Sequence, residues 1–284
     1  MATAVQTPKA RSYAPAARRP GGPVSWVRRH LLQLVAGLVL LYMFLPIFVV
    51  VQFSFNKPVG KTNYDWHGFS LVPWQTICSN GLCGPLGLSL KIGLLSTLVS
   101  TVLGTLVAFS LSRYRFAGRS AANLLIFLPM ATPEVVMGSS LLTLFVNLTF
   151  IPQGFWTITI AHVMFCLSFV VVTVKARIAG LDSRLEEAAM DLYADERTTF
   201  LKVTFPLVLP GIVAAALLAF SLSFDDYIVT AFNAGQAQTF PLWVYGTNLR
   251  GLPAQANVVG SGMFFIALVL VVVGRFAGRR RAQA

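Results

Sequence analysis

Charge is what this sequence has least of. Charged types make up 11% of its 284 residues, and Asp and Glu together number only ten. A soluble domain carries about 25% charged residues, so a water-facing globular fold is excluded. Cysteine and histidine are equally sparse, with three of each. His30, His67 and His162 are scattered, and no Cys or His spacing matches a metal site. No G-x-x-x-x-G-K-[ST] run occurs, so the chain has no phosphate loop with which to hold ATP. No converging set of catalytic groups points to an enzyme.

Apolar residues fill the space that charge leaves. Hydrophobic types reach 56% and the mean hydropathy is +0.71. Six runs are long enough to cross a bilayer at about 20 residues each. They are 31–53, 86–111, 121–148, 155–174, 207–232 and 258–273. The expected fold class is an all-α integral membrane protein with six spanning helices. A disordered basic tail is expected over 1–30, a transmembrane domain over 31–276 and a second basic tail over 277–284. The first run is too long for a signal-peptide core, and no A-x-A-like site closes it, so it is expected to stay as a helix.

The net charge of +12 raises nucleic acid as a partner, but the basic residues sit in short clusters between apolar runs. That is not the footprint of a nucleic-acid interface. It sets orientation instead. Eighteen of the 22 Lys and Arg fall in the two tails, the loop after the second run and the loop over 175–206. The remainder, Lys57, Lys61, Lys91 and Arg250, fall on the other side. The positive-inside rule places both termini in the cytoplasm, and the alternation closes for six spans.

Seven of the ten acidic residues lie in polar loops. Glu134, Asp225 and Asp226 lie in apolar surroundings, where a charge costs about 3 kcal/mol at the bilayer centre. Glu134 follows Pro133 and suits the first turn of a half-helix. Asp225 and Asp226 interrupt FSLSFDDYIVTAF. Two readings stand for them. One carboxylate lines a pathway while the other caps a broken helix, or the span ends near Phe224 and both sit at the outer interface. An electronegative pathway favours a cationic solute. Trp156 offers a ring face to a cation or an anchor in the interfacial aromatic belt. Cys78 and Cys83 fall in the external loop 54–85, in an oxidising place, where a disulfide is open to them.

The loop over 175–206 carries the most information. From Leu181 to Leu192 its pattern gives a short amphipathic helix with Leu185, Ala188, Ala189 and Leu192 on one face. Such a helix docks into a groove on another protein or lies flat on the headgroups.

This segment resembles the EAA motif of binding-protein-dependent ABC importer permeases, E-A-A, three residues, G, nine residues, I-x-L-P. Glu187, Ala188 and Ala189 match its start. Val203, Phe205 and Pro206 stand at its end, and Tyr193 stands where the family has Gly. Tyr takes positive φ uncommonly, which points to a looser turn or to an aromatic contact with the partner. RYRFAGRS after the second run, TPEVVM at 132–137, GFW at 154–156, HVMFCLSFVVVTVKAR at 162–177 and LSFDDYIVTAF are similar to the spermidine/putrescine branch of that family. The resemblance covers 31–276. It implies a MetI-like transmembrane domain of a type I importer. It also implies a homologous second permease of the PotB type, two cytoplasmic ATP-binding subunits carrying ATP and Mg, and an extracytoplasmic polyamine-binding protein. This chain would bind no cofactor itself and would lie in a bacterial inner membrane. In such an importer Glu187 to Pro206 couple to the ATPase. Another cargo, such as a compatible solute, a sugar or a different small organic cation, is the alternative.

Overall fold

The computed structural model describes residues 23–60, 62–148 and 151–281. Among these it is all helical apart from its connections, the longest over 55–71, and one isolated bridge, Asn56 to Phe69. Residues up to 49 form one compact unit, whose described part is the body of α1 (Pro23–Ser54), and residues from 50 onward form the second. The tail expected over 1–30 lies outside the described residues as far as 22. From Pro23 the chain is already helical, with proline at the first helical position, where its missing N–H costs nothing. The basic tail expected over 277–284 is helical as far as it is described, because α12 (Ala254–Arg281) runs through its first residues.

The second unit is built on three long helices, α3 (Cys83–Arg113), α6 (Phe155–Ala179) and α9 (Phe205–Asp225). Their shared core holds Ala108, Ala161, Cys166, Val170, Val174, Ala215 and Ala219, all buried. Lipid is as apolar as leucine, so membrane helices associate through close packing and not through the hydrophobic effect. Small residues at the crossings make that packing close. At Gly104 an added Cβ would lie 2.6 Å from Val170 Cγ1, and at Gly211 it would lie 2.5 Å from Arg177 Cγ. Arg177 passes across that glycine to donate to the Leu207 carbonyl from Nε (3.0 Å) and from an Nη (2.8 Å).

Among the described residues, five helices are long and apolar enough to cross a membrane, and the third expected span is not one of them. It is broken into α4 (Arg119–Ala131) and α5 (Glu134–Asn147), bent by 107°. Proline is the cause. Thr132 is extended, as a residue before proline must be, and Pro133 has no N–H to continue the ladder. Asn123 of α4 accepts from Lys175 near the C-terminal end of α6 (2.6 Å). At the other end of α6, Thr157 donates to the Asn233 carbonyl (2.7 Å), and the Asn233 side chain donates to Gly138 of α5 (3.4 Å). Counted as one broken span, the pair brings the candidate crossings among the described residues to six.

The fifth expected span, 207–232, is also broken. α9 ends at Asp225 and a separate α10 (Ile228–Asn233) follows, then α11 (Phe240–Asn248). The connection between α1 and α3 holds α2 (Val72–Gln75), a 3-10 turn at Ser79–Gly81 and a knot of side chains. Buried Asn56 donates to Asn63 Oδ1 (2.7 Å) and to the Asp65 carbonyl (2.6 Å), and it accepts from the His67 amide (2.8 Å).

Candidate functional site

Two places concentrate polar groups. The first is the segment between α6 and α9. It runs through α7 (Arg184–Asp191), α8 (Glu196–Thr199) and a π-helical turn (Phe200–Thr204) that leads directly into α9. The helix expected over 181–192 is shorter than its pattern suggested, with Asp182 and Ser183 forming the turn before it. π turns of this kind recur at functional positions.

Glu186 anchors the segment. Its carboxylate pairs with Arg113, the last residue of α3, with one contact at 2.6 Å and a second shorter one. It also accepts from the Thr204 hydroxyl in the π turn (2.5 Å). The ends of α3 and α6 therefore lie on one side. A cleft of about 680 Å³ lies there, lined by Arg113, Glu186, Met190, Phe200 and Thr204 among others. The guanidinium of Arg113 and the Thr204 hydroxyl hold the Glu186 carboxyl below its ordinary value, against the opposing effect of partial burial. A lowered folded value means that the tie contributes fully above the ordinary carboxylate range. Its contribution is lost as pH falls through the Glu186 value. With Arg113 41% exposed, the effect is about 1 kcal/mol at most. Thermal unfolding of the permease in nanodiscs between pH 7 and pH 4 should therefore fall more steeply for wild type than for Glu186→Gln. Equal slopes would remove Glu186 as the cause.

The motif residues themselves face outward. Glu187 and Ala188 are exposed and Ala189 is half-buried. Val203 is half-buried in the π turn, Pro206 is exposed, and Phe205 lies 6.1 Å from Phe200, ring to ring. Asp195 caps α8 by accepting from the Thr198 amide (3.2 Å), and the Thr198 side chain, together with that amide, lowers its carboxyl's affinity for protons. Of the two outcomes the sequence left open at Tyr193, a looser turn or an added contact, the backbone does not show the looser turn. The φ of Tyr193 is +62°. Its amide donates to the Met190 carbonyl (2.9 Å), and the Ala194 amide donates to the Ala189 carbonyl (3.1 Å). These are the two bonds of a Schellman closure, with tyrosine at the position glycine usually takes. The paired bonds hold the left-handed backbone against a cost of about 1–2 kcal/mol.

The second place is the break between α9 and α10. Asp226 is almost wholly enclosed, with a side chain 6% exposed. Its Oδ2 accepts from the Thr230 amide (2.7 Å) and hydroxyl (2.7 Å), closing the first turn of α10, and lies 3.2 Å from His162 Nε2. His162 Nδ1 meets the Ser223 hydroxyl at 2.7 Å, and Ser223 meets Ser96 of α3 at 2.8 Å. One polar chain thus crosses α10, α6, α9 and α3. Asp225, one residue earlier, is exposed. Two residues later, Tyr227 packs on Tyr245 of α11 with ring centroids 4.8 Å apart.

Asp225 and Asp226 therefore share a break but not an environment. Glu134 is exposed at the start of α5, at the other break. Trp156 is exposed on the first turn of α6, edge to face with Phe155 at 5.1 Å. Cys78 and Cys83 form a disulfide with Cα atoms 4.8 Å apart. Arg113, Glu186 and Thr204 had no signal in the sequence, because pairing across 73 residues leaves no local pattern. His162 had a weak one, a lone imidazole in an apolar span.

Residues 100–280 match the family of binding-protein-dependent transport system inner membrane components. The chain belongs to that family and is a multi-pass permease subunit of an ABC-type importer, a transport component and not an enzyme. It is 36% identical over 241 residues to the spermidine/putrescine transport system permease protein PotC of Haemophilus influenzae, covering 84% of this chain and 93% of that one. It is 34% identical to the putrescine transport system permease protein PotI of Escherichia coli, covering 82% and 83%. Among solved structures, a bacterial ABC transporter that imports the acidic polysaccharide alginate matches 92% of this chain and 98% of its own. The TM-score is 0.61 at 15% identity, a likeness of fold.

Proposed function

We propose that this permease moves a small polycation of the spermidine/putrescine class into the cytoplasm. The observation that carries the reading is the α9–α10 break. An exposed carboxylate, Asp225, stands there two residues from an aromatic pair, Tyr227 and Tyr245. Carboxylates and ring faces are the two groups that attract an amine cation without a metal. The relatives named for polyamines support the cargo. In this reading Asp226 fixes the break and Asp225 faces the solute. Glu134 adds negative charge at the second break, and Trp156 offers a ring near the entrance.

The partners follow from the same reading. A homologous permease of the PotB type completes the pathway, and two ATP-binding subunits engage the segment from Glu187 to Pro206. A polyamine-binding protein delivers solute to the external loop stapled by Cys78 and Cys83. Both termini lie in the cytoplasm. Closure of the ATP-binding subunits pulls α7. The tie from Glu186 to Arg113 passes that pull to α3, and the π turn passes it to α9. Solute binding must be strong enough to enter and weak enough to leave.

The test is ATP-driven uptake of labelled spermidine and putrescine by the reconstituted importer with its binding protein. Asp225→Asn and Glu134→Gln are each expected to lower uptake about tenfold, the worth of one charge-assisted contact. Basal ATP hydrolysis should be retained. Unchanged uptake in both variants would refute the acidic pathway. An assembled, ATP-hydrolysing complex that takes up neither amine would point to another cargo.

A further inference from the structure

We infer that the cleft between α3 and the segment of α7 and α8 holds a zwitterionic phospholipid, its head group seated on Glu196, Arg197 and Thr199. Such a site is independent of the cargo and of the coupling contacts proposed above. The floor of the cleft is apolar and lies at membrane depth. Phe109 of α3 and Phe200 of the π turn meet edge to face there, with ring centroids 5.3 Å apart, and Leu106 lines the same floor. Leu106 and Phe109 belong to the candidate span Ser79–Arg113, and Phe200 belongs to Glu196–Asp225. Leu106 lies about 10 Å inside Arg113 along the helix axis and is exposed. A water-soluble subunit does not reach that depth, whereas an acyl chain does. Tyr114, at the end of α3, is also exposed and lines the cleft. Tyrosine is a residue of the head-group level.

The rim is charged, and its balance selects the head group. Arg113 and Glu186 neutralise each other across it. Glu196 and Arg197, adjacent on α8, are both exposed, and among the described residues neither enters an ion pair. The segment's other exposed charges, Asp182, Arg184, Glu187, Asp191, Asp195 and Lys202, do not line the cleft. One free carboxylate and one free guanidinium suit an ammonium and a phosphate on one molecule. A purely anionic head would leave the carboxylate unmet. Thr199 supplies the second, independent sign. It lines the cleft, is 6% exposed, and its Oγ1 is buried with no hydrogen-bond partner. A buried hydroxyl is costly to leave unpaired, and a phosphate oxygen in the cleft accepts from it.

The assembled importer, purified in detergent and stripped of lipid, is titrated with dioleoylphosphatidylethanolamine and read by native mass spectrometry. Wild type should bind this lipid about tenfold more tightly than Thr199→Val or Arg197→Gln does. Thr199→Val should keep the wild-type unfolding midpoint in lipid-free detergent, since its hydroxyl bonds to nothing in the protein. Dioleoylphosphatidylglycerol, which lacks the amine, should bind more weakly to wild type, as should dioleoylglycerol, which lacks the phosphate. Equal affinity in wild type and both variants would overturn the site. Glycerophosphoethanolamine, the head without chains, should bind at least tenfold more weakly, and equal binding would overturn the lipid in favour of a soluble phosphate compound. p-Benzoylphenylalanine in place of Tyr114 should crosslink to phospholipid in native membranes. Crosslinks to a partner subunit alone would show that protein fills the cleft and would overturn the assignment.

Discussion

Asp226→Ala is expected to destabilise the permease by about 3 kcal/mol, the cost of breaking a buried pair and orphaning its donors. Removing the carboxylate leaves the Thr230 amide without its acceptor, and leaves the Thr230 hydroxyl and His162 Nε2 with only each other, at 3.0 Å, in place of the shared oxygen. His162 is 2% exposed and Thr230 fully buried, so water does not replace it. Asp226→Asn retains one carbonyl oxygen and should cost about 1 kcal/mol. The readout is the unfolding midpoint in detergent or nanodiscs. A double cycle of Asp226→Ala with His162→Ala should be non-additive, because one shared interaction is removed twice. A cost below about 0.5 kcal/mol for Asp226→Ala, the range of an ordinary surface substitution, would show that the chain from α10 to α3 holds nothing. The functional consequence follows from position. If the break between α9 and α10 loosens, Asp225 loses its fixed place, and uptake should fall even though Asp226 itself faces inward.

Gly104→Leu should prevent α3 and α6 from closing, and Gly104→Ala should cost about 1–3 kcal/mol, the range for overpacking. Even the first added carbon would meet Val170 Cγ1 at 2.6 Å and Val170 Cβ at 2.9 Å. Val170 is fully buried and β-branched, so it has little rotamer freedom with which to move away. The Leu167 carbonyl, 3.4 Å from the same point, bars retreat along α6. The check is a suppressor. Gly104→Ala with Val170→Ala removes Cγ1, the nearer of the two carbons, keeps Cβ at 2.9 Å, and should recover part of the lost stability. If Gly104→Ala alone is neutral in expression and unfolding midpoint, the α3–α6 crossing is softer than its geometry implies. Gly138 makes a useful contrast. Its nearest obstacle is the ring of Phe232, at 2.8 Å, on the short α10, which can shift. Gly138→Ala should therefore cost less.

The spans were legible because each carries its own evidence. A helix that must satisfy every backbone group within lipid announces itself as a run of apolar residues, with no help from its neighbours. The breaks were half legible. Pro133 marked the bend between α4 and α5, because proline acts on its own backbone, but the 107° angle needed the contacts at both ends. Asp225 and Asp226 marked the second break without saying which of them turned inward. That assignment depended on His162, 64 residues away. The motif from Glu187 to Pro206 located the segment proposed to couple to the ATP-binding subunits. It drew attention to Glu187, which is exposed, and passed over Glu186, which is the residue tied to α3.

Tyr193 shows the division most sharply. The sequence established that tyrosine stands where its family has glycine, and it left two outcomes, a wider turn or an added contact. The backbone bonds to Met190 and Ala189 settled the turn, since two closures on one helix end leave only the left-handed conformation. By itself, then, the sequence determined the membrane class, the order of the long apolar helices and the shortage of negative charge. These follow from properties each segment has alone. Only the tertiary structure decided which carboxylate is buried and which is presented, and which glutamate carries the tie. It also decided which glycine cannot be replaced. Those outcomes depend on the distance between groups far apart in the chain, and a distance set by packing is not written in either partner.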